Sequence, residues 1–216
     1  MIEITNCPNC ESELKSSLMS STKLLDNDKT RIINEYHDQK SNGYCNKCGK
    51  ELYDKYKSRL LDEKVKITNR LEKLISAIPV ISTHSPLNWD YNILQMVTGQ
   101  STTGTGVISE FTSSFTDLFG AQSGRHNKKL KYGEDMCFAQ LRKQALDIGG
   151  NAVIATDIDY SELGAGKGMI MVCMAGTAVK LTNSDVLGQQ KAKQIDELVS
   201  INDRLRHLSQ YKTQEY

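Results

Sequence analysis

The hydrophobic pattern changes period along this chain, and each change marks a different kind of element. From Leu52 to Ile78 there is no Gly or Pro, and Leu60, Lys64, Ile67, Leu71, Leu74 and Ile78 fall at steps of 4, 3, 4, 3 and 4. That is coiled-coil seam spacing, extendable back to Tyr53 and Lys57, with charged residues on the outer positions. It predicts a long helix that either self-associates through the seam or lies on a globular domain as a single amphipathic helix. Pro79 ends it, and "PVISTHSPLNWD" reads as an extended linker.

Downstream the period shortens. "YNILQMVTG" reads as a strand, "STTGTG" as a turn, "VISEFTSSFTDLFG" as a first helical stretch and "HNKKLKYGEDMCFAQLRKQALDI" as a second helix. Leu130, Cys137, Leu141, Ala145 and Ile148 share one face of that helix, with Phe138 at its edge. Gly149 and Gly150 supply its stop. Two strands follow, "NAVIATDIDYS" and "GMIMVCMAGTAVKL", joined by "ELGAGK". The second is apolar on both faces as far as Val179, which predicts a central strand covered on both sides. Three strands in so small a domain cannot supply both covers, which points to an oligomer. Residues 185–216 are again helical, with Ile195, Leu198, Val199, Leu205 and Leu208 on a stripe that includes Asn202. Before the long helix, "KLLDNDKTRIINEYHD" reads as a hairpin or strands without a core of its own.

These patterns divide the chain into a small module over 1–50, a helix over 51–79, an α+β domain over 80–182 and a C-terminal helix over 183–216. At 216 residues, with 38% hydrophobic and 25% charged residues, the composition suits one modest core and solvated helices. A net charge of +1 gives no field that selects nucleic acid, membrane or acidic partners. The start "MIEITNCPNC" has no signal-peptide character, and no apolar run is long enough to span a bilayer, so the expected location is cytoplasmic.

In a reducing compartment, two C-x-x-C pairs favour a metal over disulfides. "CPNC" (7–10) and "CNKC" (45–48) each supply two sulfurs on a tight turn, and Cys7, Cys10, Cys45 and Cys48 predict one tetrahedral zinc. Gly49 follows the second pair where a left-handed backbone is expected, while Glu11 stands where the first turn often has Gly. Four thiolates leave no open position, so the zinc is expected to be structural and to supply folding energy. A redox role is disfavoured because neither pair opens a helix after a strand.

"MVTGQSTTG" (96–104), "FTDLFGAQSGRHNKKL", "ALDIGGNAVIATDIDY" and "GMIMVCMAGTAVKL" together resemble the YbjQ-like family, a group named for heavy-metal binding and of unknown function. The resemblance covers about residues 81–182. It implies a dodecin-like α+β subunit, an antiparallel sheet with a packed helix, assembling into a ring that is usually a pentamer. The zinc ribbon and flanking helices would be appended to it. The acidic pair matching the family is Asp157 and Asp159, which point to one face of a strand. Five copies would concentrate ten carboxylates as a hard-cation site, against the simpler reading of a solvated strand end. Cys137 and Cys173 are expected in the core, and His84 and His126 in solvent.

"GQSTTGTG" lacks the Lys of a phosphate loop, and "GAGKG" sits between strands rather than opening a helix. The leading reading is therefore a non-enzymatic oligomeric binding or scaffold protein, displaying ribbons that recruit a protein partner and holding metal or a small ligand in the ring. The rivals are an enzyme with an inter-subunit site near Asp157, Asp159 and Thr98, and a nucleic-acid-binding ribbon. "RHNKKLK" lacks the interleaved aromatics that the latter calls for.

Overall fold

The computed structural model describes residues 4–15, 21–103, 125–163 and 169–213. It divides into two compact units, Met1–Arg70 with Asp203–Tyr216, and Leu71–Asn202. The described helices are α1 (Asn27–Tyr36), α2 (Asn46–Leu74), α3 (Arg125–Asp147) and α4 (Gln189–Leu208). The strands are β1 (Tyr91–Thr103), β2 (Ala152–Leu163) and β3 (Met169–Leu181). The helical stretch expected over 107–120, and the tip of the loop after Leu163, lie outside the described residues.

In the first unit the segment read as a hairpin is the helix α1. Asp26 is its N-cap, with Oδ1 accepting from Lys29 N–H at 2.8 Å, which satisfies one of the donors a helix start leaves free. The expectation that this region lacks a core also fails. Ile32, Ile33, Tyr44, Tyr53, Tyr56, Leu60 and Leu208 form one buried cluster, with Ile67 and Tyr211 packed against it. Leu60 of the predicted seam is thus used within the chain. Arg204 bridges two carboxylates, with Nη1 2.6 Å from Glu35 Oε1 and Nε 2.7 Å from Glu63 Oε1. Glu35 also receives Tyr211 O–H at 2.5 Å and lies 3.0 Å from His207 Nε2. Burial opposes its ionisation, but the bonds from Tyr211, His207 and Arg204 outweigh that and hold its pKa at about 2.

In the second unit the sheet order is β1-β3-β2, antiparallel throughout, so β3 is central as its pattern requires. α3 covers one face: Cys137, Leu141 and Ala145 meet Val97, Val153, Val172, Met174 and Ala178. Contact is closest at Gly99, where a Cβ would stand 2.7 Å from the Cys137 carbonyl oxygen. The helix ends at Asp147, and Gly149 at φ +86° carries the chain out of it, with Gly150 N–H on Ala145 O at 2.7 Å. Ile148, expected on the buried face, falls beyond the helix and is exposed. In α4, Ile195, Leu198 and Leu208 are fully buried, and Asn202 Nδ2 donates to Leu146 O at 3.4 Å.

On the other face Ala152, Ile154 and Val179 are covered by Ile81, Trp89 and Tyr91 of the linker and strand start. Beyond them Met171, Cys173, Ala175 and Thr177 of the central strand are only half-buried. Cys173 therefore corrects an expectation, since it stands on this open face and not in the core. Two asparagines each clamp both backbone groups of one distant residue. Asn151 binds Leu181, with N–H to Oδ1 at 2.6 Å and Nδ2 to O at 3.0 Å, and Asn34 binds Ser41 at 3.1 and 2.8 Å.

Candidate metal centre

The first cysteine pair sits on a short hairpin. Leu14 N–H donates to Thr5 O and Cys7 N–H to Ser12 O, both at 2.8 Å, and Glu11 N–H closes on Cys7 O at 2.9 Å. The turn needs a left-handed residue, and Glu11 supplies it at φ +59°. The second pair is placed differently from a ribbon turn. Leu25 N–H to Tyr44 O and Asn46 N–H to Lys23 O pin the segment before Cys45, and α2 begins at Asn46. Cys48 is thus in the first turn of a helix.

Two expectations change with that placement. Gly49 is helical, not left-handed, and its requirement is space: a Cβ would lie 2.6 Å from Leu25 Cδ1 and 2.7 Å from Tyr44 Cβ. The second pair does open a helix, contrary to the ground on which a redox role was set aside. What argues against that role is instead the convergence of all four sulfurs, which gives each pair another pair as its neighbour.

The sulfurs of Cys7, Cys10, Cys45 and Cys48 all lie within 4.8 Å of one another. Cys7–Cys48, Cys10–Cys45 and Cys45–Cys48 are each 3.7 Å apart. Thiolates about 2.3 Å from a tetrahedral metal are about 3.8 Å from each other, so the donor set fits such an ion. Cys45 N–H points at Cys7 Sγ from 3.2 Å, and the positive end of α2 faces Cys48, both favouring thiolate charge. Cys7 and Cys45 are buried and Cys10 is exposed. Hydrogen bonding with Ser12 lowers the Cys10 thiol to about 6, whereas burial pushes the Cys48 thiol up to about 12. The four thiols are therefore unequal, and a bound cation would have to displace a proton from Cys48.

The acidic pair has no comparable arrangement. Asp157 and Asp159 are exposed on the open face, opposite Ala175 and Cys173. Asp159 Oδ1 accepts from Tyr160 N–H at 2.9 Å, as a strand-end carboxylate does. Thr98 also pairs with Ala175, from the other side, so Thr98 and Asp157 stand two strand spacings, about 10 Å, apart. Among the described residues the four cysteines are the one group of three or more candidate ligands brought together. His84 is exposed. A shallow hollow at the start of α4, lined by residues including Ser76, Gln190, Lys191 and Gln194, has no converging acid–base pair. No helix among the described residues is long and apolar enough to cross a membrane.

Residues 80–182, a little under half of the chain, match the YbjQ family model, whose description reads "Putative heavy-metal-binding". A solved structure similar to this chain is that of a protein of unknown function from Pediococcus pentosaceus ATCC 25745, of the DUF74 family. It is 16% identical, with 48% of this chain and 97% of that chain covered and a TM-score of 0.35.

Proposed function

We propose that this is a non-enzymatic, metal-binding scaffold in which Cys7, Cys10, Cys45 and Cys48 hold one structural zinc and the YbjQ-like segment assembles copies of the chain into a ring, as a pentamer. The observation that carries the metal reading is the convergence of four sulfurs at 3.7 Å separations from two segments 35 or more residues apart. Zinc is the favoured ion because four thiolates and a closed tetrahedron suit it, and the same closure leaves no position for a substrate. When bound, the ion supplies cross-linking energy, and the cysteines tie the first hairpin to the start of α2. The ring reading draws support from the half-buried outer side chains of β3 and from Ile93 and Met96, each 70% exposed on the same face. A ring would present several cysteine modules together, strengthening weak contacts with a protein partner.

The test is native mass measurement with metal analysis on the full chain, alongside a Cys7→Ser/Cys45→Ser variant. One zinc per wild-type chain and none in the variant support a single structural site. Additional bound metal that survives in the variant, and is lost on Asp157→Asn/Asp159→Asn substitution, would move the heavy-metal role to the sheet. A wild-type mass equal to one chain would remove the ring.

A further inference from the structure

The two edges of the sheet are not equally available. On β1, Thr98 and Gln100 direct their N–H and C=O groups away from β3, where an edge strand ordinarily offers them to solvent or to another strand. Here both are taken by α3. Gln100 N–H donates to Gln140 Oε1 at 2.8 Å, and Gln140 Nε2 returns a bond to Gln100 O at 3.0 Å. One turn further along, Thr98 N–H meets Gln144 Oε1 at 3.3 Å, and Gln144 Nε2 donates to Thr98 O at 2.5 Å.

On β2 the first half is covered by the chain itself. Val80 bridges Val153 in parallel, Val153 N–H binds Pro79 O, and Thr156 N–H binds Ile81 O. From Asp157 to Glu162 there is no such cover among the described residues, and Tyr160 N–H is met only by the neighbouring Asp159 carboxylate. Ile158 and Tyr160 beside this stretch are 37% and 46% exposed.

We propose that Gln140 and Gln144 guard the β1 edge against strand addition and so direct a second copy of this chain to the open β2 edge between Asp157 and Glu162. Charge decides the occupant. β2 carries Asp157, Asp159 and Glu162, so pairing with another β2 would set carboxylates against each other. β1 has no charged residue from Tyr91 to Thr103. Its unguarded part, Ile93 to Met96, is the stretch of a second copy that fits, giving a head-to-tail joint of the kind that closes rings. This inference rests on the self-association proposed above, but its test separates the two.

Full-length wild type and Q140M/Q144M, which keeps side-chain length and removes the amides, are compared by native mass and by hydrogen exchange. In dilute solution the Thr98 and Gln100 amides should exchange about tenfold faster in the variant. At higher concentration the variant should spread to masses above the discrete wild-type species. Unchanged exchange would mean the clamps do not form; faster exchange with an unchanged mass distribution would mean they guard nothing. Either overturns the proposal. If the double variant loses its fold, Q144M alone is judged on the same two readings. Y160P removes an N–H that lies outside the β2–β3 ladder, a change an edge strand tolerates. It should reduce the wild-type oligomer to single chains, and retention of the wild-type mass would overturn the β2 assignment. If wild type is itself a single chain, the ring reading falls and the guard is decided by whether Q140M/Q144M associates.

Discussion

Gly49 offers a sharp test of how the metal module is packed, because two readings of one glycine predict opposite orders of substitution. If Gly49 served a left-handed turn after Cys48, Asn would be a better replacement than Ala. In the structure it is helical and sits against Leu25 and the Tyr44 Cβ. Ala at this position gains about 1 kcal/mol of helix propensity. Against that stands an overlap at 2.7 Å with Tyr44, which is fully buried and whose hydroxyl donates toward Asn34 Oδ1 at 2.8 Å. Leu25 Cδ1 can swing away, but Tyr44 Cβ cannot move without its ring. Overpacking of this kind costs roughly 1–3 kcal/mol. The expected net loss is about 1–2 kcal/mol for Gly49→Ala, and about 2–4 kcal/mol for Gly49→Asn, which adds bulk without the propensity gain. The assay is urea unfolding with metal present, followed by hydrogen exchange over residues 44–60, with chelator competition as a second readout. Because folding and metal binding are linked, a loss of 1–2 kcal/mol should appear as an about five- to thirtyfold weaker apparent metal affinity. If Gly49→Asn proves more stable than Gly49→Ala, the packing argument is wrong.

Glu35 should give acid sensitivity to the same unit. Its folded pKa of about 2 lies below its ordinary 4.5, so its contribution is present above the unfolded value and fades as pH falls from about 4.5 toward 2. Glu35→Gln should flatten that part of the stability–pH curve and cost about 1–2 kcal/mol at pH 7 after solvent screening; an unchanged acid limb would contradict it. Glu11→Gly relieves a left-handed residue worth about 1–2 kcal/mol of strain, against the extra unfolded-state freedom of Gly, so a net gain of up to about 1 kcal/mol is expected in thermal unfolding. Asn151→Asp puts a carboxylate against the Leu181 carbonyl in a site 4% exposed. The loss, about 2–4 kcal/mol, should be larger at pH 8 than at pH 5, because only the protonated acid can restore the donor. Equal melting shifts at the two pH values would count against the clamp.

The strands, the central place of β3, the buried face of α3 and the metal donors were legible because each rests on spacing alone. Period 2 and period 3.6 sort residues onto faces, and two C-x-x-C pairs state a donor set. The helix α1 was missed because its adjacent Ile32 and Ile33 look strand-like in isolation, although Asp26 three residues before Lys29 carried the capping signal. Gly49 was misassigned because a Gly after a cysteine reads alike whether it needs a positive φ or merely room. The membership of Arg204, His207 and Tyr211 in the N-terminal unit depends on contacts across more than 140 residues, about which local pattern is silent. Cys173 was read as core because β3 is apolar throughout, and apolar sequence does not say which cover is missing.

The glutamine clamps on β1 carry a further consequence for how that strand finds its place. Its Val97–Thr103 stretch alternates weakly, with Thr98, Gln100 and Thr102 set against Val97, Gly99 and Ser101, so side-chain pattern alone tolerates a slip. Four helical residues advance about 6 Å and two strand residues about 6.7 Å, which lets Gln140 and Gln144 reach Gln100 and Thr98 together. A slip of one residue would turn ladder-facing backbone groups toward the glutamines and leave both amides without partners. The helix therefore acts as a gauge laid along the strand: it measures alignment by matching pitch and secures an alignment that the strand's own sequence leaves loose.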